Sequence, residues 1–115
     1  MTATLGYARV STSGQDLAAQ RDALTAAGVD DARLFADTMT GAAGSERPGL
    51  AALLDYARPG DVVVVTAIDR LGRSVVEVTR TIADLGGRGI TLRALRENVD
   101  TATPTGRAVA AIMAS

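Results

Sequence analysis

Val62-Val63-Val64-Val65-Thr66-Ala67-Ile68-Asp69-Arg70-Leu71-Gly72-Arg73-Ser74 is the stretch that decides the fold. Residues 62–68 are apolar almost without a break, so neither face suits water, and such a run reads as a central parallel strand covered on both sides. An acid and two arginines follow at once. Open α/β sheets place their ligand chemistry at the carboxyl ends of such strands. Earlier in the chain, Tyr7-Ala8-Arg9-Val10-Ser11-Thr12-Ser13 ends another apolar segment in an arginine and a run of hydroxyls. The chain reads as a scaffold that brings these two strand ends together.

Working outward, Ser74-Val75-Val76-Glu77 has the pattern of a capping box, which starts a helix at about Val75 that runs through Val78, Ile82 and Leu85 to Gly86-Gly87. Residues 69–73 are then the loop between strand and helix. Residues 90–95 read as a fourth strand and 97–103 as a polar connection. Thr103-Pro104 opens a last helix with Val109, Ile112 and Met113 on one side, still running at Ser115. Toward the N-terminus, residues 4–10 form the first strand. Ser13-Gly14-Gln15-Asp16 resembles another capping box, so a helix is expected from about Gly14, with Leu17, Gln20, Arg21, Leu24 and Ala27 at helical spacing and Gly28 as its stop.

Residues 29–36 hold a turn and a short second strand around 33–35. Residues 37–46, with two glycines and no strong apolar anchor, read as a surface loop of the kind that closes over substrates. Pro48 suits the first turn of the next helix, whose buried stripe is Leu50, Leu53, Leu54 and Ala57. The alternation of strands and helices gives an α/β fold in three layers, a mostly parallel sheet of four to five strands with helices on both faces.

The chain's 115 residues, 47% of them hydrophobic, suffice for one domain and not for two separate cores. With no Cys and no His, disulfides and the common zinc, haem, Cys and His catalytic sites are excluded by count. No apolar run approaches the roughly 20 residues of a membrane span, and no leader precedes the first strand, so a cytoplasmic protein without membrane contact is expected. The net charge of −1 is low for a nucleic-acid binder, but the twelve basic residues are all arginine, and Arg9, Arg47, Arg70 and Arg73 fall at strand ends or helix starts.

A guanidinium is a planar fork matched to phosphate oxygens, and several converging on one point suit a phosphorane-like transition state. An arginine at a helix N-terminus is locally unfavourable by roughly 0.3–1 kcal/mol, since that end of the dipole prefers acids. The arrangement makes sense if an anion is held there. Ser11 is the strong nucleophile candidate beside this cluster. Without His or Lys, its proton would leave through an arginine, through Asp69 or through water.

These residues together resemble the catalytic domain of the serine recombinase (resolvase/invertase) family. Gly6-Tyr7-Ala8-Arg9-Val10-Ser11-Thr12 with Gln15 and Gln20 is similar to its opening motif, and Ile68-Asp69-Arg70-Leu71-Gly72-Arg73-Ser74 to its second. Thr40-Gly41 and Arg47-Pro48-Gly49-Leu50 resemble the middle motif, and Gly106-Arg107 the start of its long helix. The resemblance implies a resolvase-like catalytic domain over residues 1–103, with 104–115 beginning a long C-terminal helix cut short and the DNA-binding region absent.

It further implies site-specific DNA recombination without metal, cofactor or small-molecule substrate. Ser11 would attack a DNA phosphodiester to give a 5'-phosphoserine linkage and a free 3'-hydroxyl. Arg9, Arg47, Arg70 and Arg73 would hold the phosphate, Asp69 would orient the arginines or assist the leaving oxygen, and Gln20 would support the site. Tyr7 would pack behind them, with Gln15 and Thr40 as further supporting residues. The implied partner is a double-stranded recombination site in the bacterial nucleoid, bound by a homodimer that forms a tetramer in the full-length protein.

Where many family members carry a lysine just before the Asp-Arg motif, this chain has Thr66-Ala67. Three other readings stay open. A nucleotide-binding or regulatory α/β module would need a glycine-rich phosphate loop or an acid cluster, and neither pattern is present. A catalytically silent interaction or dimerisation module derived from a recombinase would be expected to have lost Ser11 or an arginine. A phosphoesterase of another kind would release phosphate or nicked DNA with no protein adduct.

Overall fold

The structure, a computed structural model, describes residues 3–10, 14–38, 48–72 and 74–104 together with 106, 108 and 112, and for 14 and 15 the backbone alone. In order come β1 (Thr4–Val10), α1 (Gly14–Ala26), a 3-10 turn (Asp31–Arg33), β2 (Leu34–Thr38) and α2 (Pro48–Tyr56). Then follow β3 (Val62–Val65), a second 3-10 turn (Ile68–Leu71), α3 (Val75–Gly87), β4 (Thr91–Ala94) and β5 (Val99–Asp100).

They form one sheet in the order β2-β1-β3-β4-β5, parallel from β2 to β4 and antiparallel between β4 and β5. The valine run explains the centre of this sheet, because alternate side chains leave on opposite faces. Val63 and Val65, with Leu5 and Tyr7 of β1, pack on Leu50 and Leu53 of α2 and Val78 and Leu85 of α3. Val64, with Ala8 and Val10, packs on Leu24 of α1 and on Val29. Helices therefore cover both faces, and the expected three layers are present.

Local chemistry sets several boundaries where the sequence puts them. Ser74 caps α3, its hydroxyl accepting the Glu77 N–H at 3.2 Å. Gly28 takes φ +101°, a left-handed conformation that lets the chain turn out of α1 without a Cβ clash. Asp61, 4% exposed, accepts the Ala3 N–H at 2.8 Å and the Arg58 N–H at 2.9 Å, which ties the start of β1 to the turn before β3. Burial pushes its carboxyl up, but those two N–H groups and the charges of Arg33 and Arg58 outweigh burial and hold it below the ordinary value.

Three expectations need correction. The second strand does not stop at 36: β2 runs to Thr38 because β1 pairs with it as far as Val10↔Thr38, so Asp37 belongs to a strand and not to the surface loop. The strand begun at Val62 ends at Val65, since the Ala67 carbonyl accepts the Arg70 N–H and turns the chain into a 3-10 helix. The polar connection 97–103 contains β5, whose pairing with β4 closes a tight turn with Asn98 at φ +54°. Of the expected last helix, Pro104, Gly106, Ala108 and Ile112 are helical, with Ile112 exposed. Val109 and Met113 lie outside the described residues, as does most of the expected loop at 37–46. No helix among the described residues is long and apolar enough to cross a membrane.

Candidate active site

Parallel pairing of Tyr7 with Val65 brings the last residues of β1 alongside the segment that follows β3, and the charged residues of the two meet there. Arg9 is 6% exposed, and its Nη1 donates to the carbonyl of Gly72, just beyond the second 3-10 turn. In return, Nη1 of Arg70 donates to the carbonyl of Arg9 at 3.1 Å. Each arginine holds the backbone of the other's segment. Gln20 of α1 completes the junction, its Nε2 donating to the same Arg9 carbonyl at 3.1 Å and to Asp16 Oδ1 at 3.1 Å.

Two polar atoms at this junction are buried without a hydrogen-bond partner among the described residues, Nε of Arg70 and Oε1 of Gln20. A buried donor left unmade costs about 1–3 kcal/mol, more for a charged group, so the Arg70 N–H would gain from an acceptor that the described residues do not supply. Asp69 Oδ1 stands 3.9 Å from that nitrogen, within ion-pair range and beyond hydrogen-bond length.

Asp69 itself is 63% exposed, and among the described residues its nearer cation is Arg96 of the β4–β5 turn, with Nη2 at 3.3 Å from Oδ2. The Arg96 guanidinium is in turn held by Glu97 Oε2, at 3.2 Å from Nε and 3.0 Å from Nη2. The Glu97 hydrogen bond first, and then the charge of Asp69, push the Arg96 pKa up.

Behind the junction, Tyr7 is fully buried and donates its hydroxyl to Asp37 Oδ2 at 2.7 Å. Asp37, 7% exposed, also accepts the Gly49 N–H at 2.7 Å and the Leu50 N–H at 2.9 Å, so one carboxylate caps α2 and fixes it to the middle of β1.

Of the residues singled out in the sequence, the structure brings together Arg9, Gln20, Asp69 and Arg70, with Tyr7 one layer behind. Ser11, Thr40, Arg47 and Arg73 lie outside the described residues, as does the side chain of Gln15. Asp37, Arg96 and Glu97 were missed. Asp37 sits two residues past Phe35, on the same face of its strand, and that alternation was the one signal available for it. Among the described residues no group of three or more His, Cys, Asp or Glu could hold a metal ion.

The profile of the resolvase N-terminal domain matches residues 4–115. The chain belongs to the resolvase family. This resolvase domain is 44% identical over 105 residues to the DNA-invertase hin of Salmonella typhimurium, across 91% of the chain and 54% of that protein. It is 41% identical over 103 residues to the serine recombinase gin of Escherichia phage Mu, across 90% of the chain and 52% of that protein. The resolvase domain thus spans about half the length of the curated relatives it matches. Among solved structures it is similar to the N-terminal catalytic domain of TP901-1 integrase, with a TM-score of 0.74 and 29% identity over 96% of the chain and 90% of that domain.

Proposed function

We propose that this chain is the catalytic domain of a serine site-specific recombinase that cleaves and rejoins double-stranded DNA. The observation that carries the reading is the junction of Arg9 and Arg70 at the paired strand ends of a resolvase-family domain.

In the proposed reaction the Ser11 hydroxyl oxygen attacks the phosphorus of a DNA phosphodiester. The bond to the 3'-oxygen breaks, that oxygen leaves as a 3'-hydroxyl after taking up a proton, and a 5'-phosphoserine ester forms. The Ser11 proton passes to water or to Asp69. Attack by a 3'-hydroxyl of the exchanged strand on the phosphoserine reverses the step and releases Ser11. One phosphate ester replaces another throughout, so no nucleotide cofactor is consumed.

Arg70 offers the exposed edge of its guanidinium to the phosphate, and Arg47 and Arg73 add further donors. Arg9 contributes charge from a buried position while its Nη1 holds the turn at Gly72, and Gln20 fixes the carbonyl on which Arg70 rests. The protein acts on nucleoid DNA in the bacterial cytoplasm, as a homodimer that pairs into a tetramer.

The test is covalent trapping by the intact protein on end-labelled DNA bearing a candidate crossover site, comparing wild type with Ser11→Ala. A protein adduct at the 5' end that disappears in the variant is the expected result. Absence of an adduct with wild type, on a site the protein demonstrably binds, would replace catalysis with an interaction or dimerisation role.

A further inference from the structure

The β4–β5 turn carries a guanidinium that is held by Glu97 as well as by Asp69. Glu97 has a side chain only 6% exposed, and its two carboxylate oxygens are both engaged. Oε1 accepts the backbone N–H of Ile68 at 3.1 Å, at the first residue of the 3-10 turn that bears Asp69 and Arg70. Oε2 accepts both Nε and Nη2 of Arg96. The backbone binds the same way: the Leu95 N–H donates to the Val65 carbonyl at 3.0 Å and the Arg96 N–H to the Thr66 carbonyl at 2.8 Å. With its backbone tied beside the end of β3 and its Nε and Nη2 on Glu97 Oε2, Arg96 reaches Asp69 Oδ2 with Nη2 at 3.3 Å.

An exposed ion pair usually gains little, because two long side chains must be ordered to make it. Here Arg96 is ordered by Glu97 and the turn, so that much of the cost is met without Asp69. We propose that Arg96, locked by Glu97 to the 3-10 turn, is a positioning residue that holds the Asp69 carboxylate in one orientation beside Arg70. This rests on the recombinase reading for its effect on rate, and on the geometry alone for its effect on Asp69.

Both parts can be measured. In the wild-type chain, the Hα–Hβ scalar couplings of Asp69 are expected to report one χ1 rotamer, and in Arg96→Gln an average over several. Averaged couplings already in the wild type would overturn the proposal whatever the protein does to DNA. In the intact protein, Arg96→Gln is expected to slow formation of the covalent DNA adduct about three- to fivefold, the range of a single exposed ion pair, with Arg96→Lys restoring most of the rate. DNA affinity should stay unchanged.

Added to Asp69→Asn, Arg96→Gln should slow the reaction no further, because its effect passes through the carboxylate. Losses that multiply in the double variant, or a fall in DNA affinity matching the fall in rate, would instead make Arg96 a direct phosphate contact. An adduct formed by wild type and by Arg96→Gln at equal rates would sink the positioning role and leave the recombinase reading standing. No adduct from wild type would sink the latter, while the couplings still decide the former.

Discussion

Asp37 shows how one side chain can join three elements. Its carboxylate takes the Tyr7 hydroxyl from β1 and two N–H groups from the first turn of α2, all from a position on β2 that is 7% exposed. Asp37→Ala leaves those donors facing a small void, and a loss of about 2–4 kcal/mol in urea unfolding is expected. Tyr7→Phe removes one of the bonds and keeps the ring, so about 1 kcal/mol is expected in the same measurement. Asp61 adds a pH dependence. Its folded carboxyl lies below the ordinary 3.8, so the stability it contributes is fully present above that value and is lost as pH falls through the lower, folded one. Unfolding followed from pH 5 downward (roughly the range where such carboxyls titrate) should therefore show a shallower acid limb in Asp61→Asn than in the wild type. Apart from its alternation with Phe35, nothing in the chain marked Asp37 for this role beforehand, and nothing marked Asp61. An acid at a strand end and an acid in a loop have the same immediate neighbours, and the groups that distinguish Asp37 lie 12 and 30 positions away.

The helices and central strands were legible because their signals are local. Ser74 and Glu77 are three residues apart and cap α3 as their spacing indicates, so Ser74→Ala is expected to cost about 1 kcal/mol in thermal or chemical unfolding. The valine run identified β3 because its neighbours on both faces are apolar whatever the topology. β5 was missed for the opposite reason, being two residues held in place by pairing with β4 and by the turn at Asn98. The arginine pair stands between these cases. Arg9 and Arg70 could be placed at strand ends from sequence, but that each would hold the other's backbone required the parallel register of β1 and β3. Element packing also limits substitution at Gly49. A Cβ there would stand 2.3 Å from the Ala36 carbonyl oxygen, a backbone atom that cannot step aside. Gly49→Ala is therefore expected to push the N-terminus of α2 away from β2 and to lower stability by about 1–3 kcal/mol, read from the denaturant midpoint.

Across the whole molecule the charges nearly cancel, at −1 overall with a pI near 5.3, although all twelve cations are arginine. Nonspecific affinity for DNA scales with the counterions a protein displaces, and a chain of this balance displaces few. The 115 residues alone are expected to bind duplex DNA weakly, with a Kd of about 10⁻⁶ M or weaker near physiological salt, as fluorescence anisotropy would measure. The two margins of the sheet also differ from its centre. β5 offers a newcomer two residues of ladder, and β2 carries a carboxylate turned inward at Asp37. Strands that short, or bearing a charge on the covered side, make poor templates for edge-to-edge addition. The valine run, the most aggregation-prone segment of the chain by composition, is kept between them, where no other molecule's backbone can reach it once the sheet has formed.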